Sequence, residues 1–269
     1  MKLFAIQKLV RSNTFYISHI RKYRLKIESL VISLIALKMI SKKIVREILG
    51  RTKFAGDGFI TRNYVGGFMN SKLDSAWNSS IDKLPKNIQQ WNSEIKYRAH
   101  IVTWAANQTK EVEGDFIELG VFFGHLSYVI VNFDQEVLTG RKFFLVDPWG
   151  KDGAKEFTNI LYRNDIYDFV KSRFADYPEV ELIRGFVPEV LAQIPSSRVA
   201  FLMIDMNGHE AEIAALEHFY NRMSTGGIIY FDDYGGRWTK LREVVDEFLF
   251  DKPEKLLTFA SPNAILIKK

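Results

Sequence analysis

The chain is expected to fold as an α/β protein with a doubly wound, mainly parallel sheet, and three observations carry that expectation. From Gly114 onward, short runs of β-branched, aromatic and aliphatic residues alternate with longer stretches of helical spacing, the pattern of successive β–α–β units. The last two strand-like runs are separated only by Ser261-Pro262-Asn263. That is too short for a crossover helix, so they should form a C-terminal antiparallel hairpin. The composition, 47% hydrophobic and 26% charged over 269 residues, suits one large α/β domain plus an appendage.

Taken in order, residues 1–53 read as a basic helical arm, with Leu30, Leu34, Leu37, Ile44, Val45 and Ile48 at helical spacing and Lys38, Lys42, Lys43 and Arg46 turned elsewhere. Two readings stand: an amphipathic helix on the inner face of an anionic membrane, or a helix packed on the body or on a second copy of the chain. No charge-free stretch of the arm exceeds nine residues (Ser29–Leu37), short of the ~20 a spanning helix needs, and no cleavage pattern of a secretory signal follows it. Residues 54–113 read as a connector or lid, rich in Gly, Ser, Asn and aromatics over 54–90, then a helix over Gln90–Gln108. Residues 114–269 carry the sheet. Its strands are expected at Phe116–Leu119, Lys142–Val146, Val180–Ile183, Val199–Ile204, Gly227–Phe231, Leu256–Ala260 and Ala264–Lys268. The intervening helices are expected at about Gly124–Phe133, Ala154–Phe174, Pro188–Ile194, Glu210–Met223 and Trp238–Phe250.

The net charge of +5 divides unevenly. Residues 1–53 hold 13 basic side chains against Glu28 and Glu47, whereas the remaining 216 hold 24 basic and 30 acidic ones. A basic arm on an acidic body with no nucleic-acid motif argues against nucleic acid as a partner. The absence of cysteine excludes disulfides, thiolate zinc sites, iron–sulfur clusters and cysteine nucleophiles. A cytoplasmic location, peripheral to the membrane if the arm binds lipid, is the expectation.

In open α/β sheets ligands bind beyond the carboxyl ends of the strands. The first strand runs into Glu118-Leu-Gly120-Val-Phe-Phe-Gly124-His125. Gly120 permits a tight turn and the close approach of a ligand, but the full Gly-x-Gly-x-x-Gly fingerprint of a nicotinamide enzyme is missing. The second strand ends in Asp147, placed either to accept hydrogen bonds from the ribose hydroxyls of a nucleoside cofactor or to cap a helix before Pro148. The fourth strand ends in Asp205-Met206-Asn207 and the fifth in Asp232-Asp233-Tyr234. Three carboxylates gathered there need something positive among them. Oxygen donors suit a hard cation, Mg²⁺ before Zn²⁺, although each aspartate could also cap a helix by itself.

The runs GDFIELGVFFGHLS, FFLVDPWG, RGFVPEVL, FLMIDMNGHEAEIAALEHFY and GGIIYFDDY resemble the macrocin O-methyltransferase family, class I S-adenosylmethionine-dependent enzymes that methylate sugar hydroxyls of natural products. The likeness covers about Gly114–Leu249. It implies a Rossmann-like methyltransferase sheet, with Glu118 and Gly120 bordering the methionine part of the cofactor. Asp147 would then hold the ribose, with Trp149 near it and Gly185-Phe186 near the adenine. It further implies Asp205, Asp232 and Asp233 as metal ligands and Asp205 as general base. Two departures bear on the acceptor pocket: the family's Asp-Gly-Asp is Asp205-Met206-Asn207 here, and its Leu-Tyr-Glu is Gly208-His209-Glu210.

The expected reaction is transfer of a methyl group from S-adenosylmethionine to a hydroxyl of a sugar on a natural product or glycan, with Mg²⁺ orienting the oxygen. His209 is an alternative base to Asp205, or else an exposed first-turn residue. The role of His125 stays open. Two rivals remain: a phenol or catechol O-methyltransferase, with Phe68, Trp77 and Trp238 for a flat aromatic pocket, and a non-catalytic assembly or membrane-associated protein on the same fold.

Overall fold

The computed structural model describes residues 54–61, 70–86, 88–89, 95–150, 165–236 and 239–269. The expectations placed on the arm 1–53, on Phe68 and Trp238, and on the first part of the Ala154–Phe174 helix lie outside these residues. In chain order the elements are β1 (Phe54–Gly56), β2 (Phe59–Thr61), α1 (Ser71–Asp82), α2 (Lys96–Gln108), β3 (Asp115–Leu119), α3 (His125–Phe133), β4 (Phe143–Asp147) and α4 (Asp165–Arg173). There follow β5 (Val180–Arg184), β6 (Val199–Ile204), α5 (His209–Phe219), β7 (Met223–Phe231), α6 (Thr239–Leu249), β8 (Leu256–Thr258) and β9 (Ala264–Ile267).

Seven strands form one sheet in the order β5-β4-β3-β6-β7-β9-β8. The first five are parallel. β9 runs antiparallel to both β7 and β8, so the C-terminal hairpin is present and inserts its last strand against β7. The chain leaves β3 in one direction through β4 and β5 and in the other through β6 and β7, which puts the switch point between β3 and β6. This is the Rossmann-like sheet expected of a class I methyltransferase.

Parallel strands covered on both faces are apolar almost throughout, and β4 and β6 are buried at every position. Because side chains alternate in direction along a strand, the core divides in two. Phe116, Phe143, Phe201, Met203 and Tyr230 point to the face covered by Trp77 of α1, Val102 of α2, Val129 of α3 and Val170 of α4. Ile117, Leu119, Phe144, Leu202 and Phe231 point to the face covered by Leu216 and Phe219 of α5 and Val245 of α6. Phe116 stacks edge-on with Phe143 and Phe201 at centroid distances of 5.8 and 5.4 Å, the favoured geometry for aromatic pairs.

The segment 54–90 differs from the irregular connector expected. Asp57 and Gly58, with φ of 48° and 79°, form the two-residue turn of the β1–β2 hairpin, whose register pairs Gly56 with Phe59. Both central residues of such a turn require positive φ, which Asp-Gly accommodates. α1 begins at Asn70, whose side chain accepts from the backbone N–H of Lys72 and Leu73. It buries Leu73, Ala76, Trp77 and Ser80, a stripe at i, i+3, i+4 and i+7 that its polar neighbours disguise. Trp77 therefore lies in the core, 5% exposed, and does not line an aromatic pocket.

The helix expected over Pro188–Ile194 is only a 3₁₀ turn, Leu191–Gln193. Its N–H groups bond three residues back, Leu191 to Pro188, Gln193 to Val190 and Ile194 to Leu191, and Pro195 cannot continue a helix. At the other end of β6, α5 stops at Phe219 and β7 already starts at Met223. Among the described residues no helix is long and apolar enough to cross a membrane.

Candidate active site

Gly120 sits at the exit of β3 with φ +89°, and a Cβ built there would overlap the carbonyl oxygen of Asp205. The Asp205 N–H donates to the Leu119 carbonyl at 2.8 Å. The close approach that only glycine allows is thus made by the backbone leaving β6, and it fixes where Asp205 stands.

Asp147 ends β4 almost wholly buried. Its Oδ2 accepts from the N–H groups of Val121 and Phe122, both at 2.9 Å, and its Oδ1 from the N–H of Trp149 at 2.8 Å. The carboxylate is engaged by three backbone donors and clasps the loop after β3 to the loop after β4. Trp149 is fully buried, and its Nε1 donates to the Phe122 carbonyl at 2.8 Å. Phe122 and Trp149 both hold positive φ, 52° and 39°, conformations that cost bulky residues energy and persist where surrounding bonds enforce them. Gly185 is buried beneath Val190, which a Cβ would meet at 2.7 Å, and its N–H donates to the Asp147 carbonyl. Phe186 is half-buried beside it.

Glu118 points from β3 to the same face as Phe116. It is buried and accepts a hydrogen bond from Ser127 Oγ of α3. Burial, followed by the charges of Asp147 and Asp232, pushes its carboxyl up to about 8. His125, the first residue of α3, is 6% exposed, and neither ring nitrogen has a hydrogen-bond partner. Burial, with Arg173 and Arg98 nearby, pushes its imidazole down to about 3, so it is neutral at physiological pH.

Asp205, Asp232 and Asp233 each offer one carboxylate oxygen, and the three lie within 4.8 Å of one another. The parallel register of β6 and β7, with Ile204 opposite Phe231, brings these strand ends side by side. Asp232 is held from several directions. Its Oδ1 accepts from Tyr230 Oη at 2.6 Å and Asn263 Nδ2 at 3.1 Å, and its Oδ2 accepts from Arg98 Nη1. Burial, then Asp232 and Asp233, raises the Asp205 carboxyl well above the ordinary carboxylate range. An all-oxygen set of this size has the donor chemistry of a Mg²⁺ site.

Sequence reasoning missed four residues here: Arg98, Asp57, Tyr230 and Asn263. Arg98 Nε donates to Asp57 Oδ1 at 2.7 Å, so the hairpin turn reaches the acid cluster through α2. Burial opposes the guanidinium's charge, but Asp232, Tyr230, Asp205 and Asp57 outweigh it and hold its pKa above the ordinary value. Of these four, only the Asp57-Gly58 turn had a local signal. Among the described residues no hydrogen bond joins His209, half-buried at the start of α5, to the acids. One turn further along, Glu212 is buried, and burial with the charges of Asp233 and Asp232 pushes its carboxyl up to about 8.

A family model described as macrocin O-methyltransferase matches residues 100–255. The chain is 25% identical over 166 residues to demethyldecarbamoylnovobiocin O-methyltransferase from Streptomyces niveus, covering 55% of this chain and 63% of that protein. Among solved structures, the O-methyltransferase NovP matches with a TM-score of 0.56 at 20% identity, over 64% of this chain and 79% of its own. The calicheamicin methyltransferase CalS11 matches with a TM-score of 0.51 at 16% identity, over 76% and 94%. At these identities the solved structures speak for the fold alone. The family match spans more than half of the sequence and includes Glu118, Asp147, Asp205, Asp232 and Asp233, and on that match the chain belongs to the macrocin O-methyltransferase family.

Proposed function

We propose that the protein transfers a methyl group from S-adenosylmethionine to a hydroxyl of a sugar on a natural product or glycan, with a divalent cation, Mg²⁺, held by Asp205, Asp232 and Asp233. The observation that carries this reading is the convergence of three carboxylate oxygens within 4.8 Å at the ends of β6 and β7 in a member of this family. The Streptomyces relative is named for O-methylation of a novobiocin precursor, and that chemistry supports a natural-product acceptor here. The cofactor fits beyond β3, β4 and β5, where Glu118, the Gly120 loop, Asp147 with Trp149, and Gly185-Phe186 gather.

Bound S-adenosylmethionine supplies a methyl group already made electrophilic by its sulfonium, and bound Mg²⁺ supplies Lewis acidity that lowers the pKa of a hydroxyl beside it. The chain's own residues do the rest. Asp205 takes, at a carboxylate oxygen, the proton that the acceptor hydroxyl loses; His209 is the alternative base, one helical turn from the buried Glu212. Tyr230 and Asn263 orient Asp232, so that the acid set keeps its shape before the acceptor arrives. Burial of Trp77 leaves the flat phenol pocket without one of its three walls, which favours the sugar acceptor over the catechol one.

The test is methyl transfer from labelled S-adenosylmethionine to paired sugar and catechol acceptors, with Mg²⁺ and with chelator. Transfer to sugars that chelator abolishes is expected. Transfer that ignores chelator for every acceptor overturns the cation assignment, and preference for catechols overturns the acceptor class.

A further inference from the structure

The mechanism uses the acids but not the guanidinium lying among them. Arg98 belongs to α2, outside the sheet, and its side chain is 17% exposed. The planar fork grips two aspartates at once, Asp232 through Nη1 and Asp57 through Nε. The Asp57 side chain has no exposure, and its Oδ2 has no hydrogen-bond partner. Two aspartates, Asp57 and Asp232, are therefore paired with one positive charge, and the carboxylate of Asp205 acts on it as well. A buried acid that loses its counter-charge is left bare, whereas an added dication must share its carboxylates with a cation already there.

We infer that Arg98 is a positioning residue, the resident counter-cation of the acid cluster, which holds Asp232 in place without a divalent ion and lowers the site's affinity for one. The inference rests on the reading of Asp205, Asp232 and Asp233 as a cation site. The hairpin has a part in it: Asp57 anchors the second prong of the fork, which a lysine could not supply with one point charge.

The experiment measures Mn²⁺ binding, and thermal unfolding in chelator, for wild-type protein, Arg98→Met and Arg98→Lys. Arg98→Met should bind Mn²⁺ more tightly, on the order of tenfold, while its melting temperature in chelator falls by at least about 5 °C and recovers on adding Mn²⁺. Arg98→Lys, which restores the charge, should bring Mn²⁺ affinity back toward wild type. Equal affinity of all three proteins, or weaker binding by Arg98→Met, overturns the inference alone. A wild-type protein that binds no Mn²⁺ overturns the cation site and this inference together. Should Arg98→Met fail to fold in chelator, combining it with Asp57→Asn and Asp232→Asn removes both acids left bare and should restore folding; no rescue overturns the inference.

Discussion

Asp205 and Gly120 depend on each other: the carboxylate stands where it does because the residue opposite its carbonyl has no side chain. Gly120→Ala should therefore unfold the switch point, costing more than about 4 kcal/mol, and show as loss of soluble protein or a collapsed melting temperature. Asp205→Ala removes a side chain and leaves that backbone contact intact. It should lower methyl transfer by roughly 10²–10⁴-fold while S-adenosylmethionine binding, followed by calorimetry, stays close to wild type. Full activity in that variant would remove Asp205 from the chemistry. The acids were legible from residue types at strand ends. Arg98 was not, since nothing in Lys96-Tyr97-Arg98 tells that a helix preceding the sheet lays that side chain on Asp232.

Among the elements, strands were read closely because parallel β-strands covered on both faces are near-continuous apolar runs. The Lys142–Val146 and Val199–Ile204 expectations fall within a residue of β4 and β6. α1 escaped because its buried stripe uses Ala76 and Ser80 between polar residues, so packing on α3 and the Asn70 cap sustain it more than hydrophobicity does. Asn70→Ala should cost about 1 kcal/mol, measured as a lower denaturation midpoint with an unchanged slope. The residue pair behind the β1–β2 hairpin, Asp57-Gly58, is itself a turn signature. Its three-residue strands are too short to show the alternation that would have marked them.

For the whole molecule, closure of the sheet depends on the chain's last strand. Buried Glu254 accepts from Tyr220 Oη, from Lys268 Nζ at 2.8 Å and from the Lys269 N–H at 3.1 Å. Burial raises its pKa, but these three donors outweigh that and hold the carboxyl down at about 2. A carboxyl whose folded pKa is depressed contributes stability that is complete above its unfolded value, near 4.5, and is lost as pH falls toward 2. Thermal unfolding between pH 6 and 2.5 should show this loss, and Glu254→Gln should remove about 2–3 kcal/mol at neutral pH and flatten that part of the profile. A lipid-bound arm, one of the two readings of the charge split, would make residues 1–269 sediment with anionic vesicles at low salt and come off at high salt, while residues 54–269 stay in solution. Equal partitioning would assign the arm to packing or assembly.

By itself, the sequence determined the doubly wound sheet, the terminal hairpin, the acids at two strand ends and the family, because each is written in local periodicity, turn residues or a short motif. Only the tertiary structure decided that β9 enters between β7 and β8 and that Asp147 clasps two loops through backbone N–H groups. It also decided that a half-buried arginine from α2 pairs with two of the aspartates. Those outcomes depend on which distant segments meet, and a buried charge takes its partner from whatever the fold brings within hydrogen-bond reach.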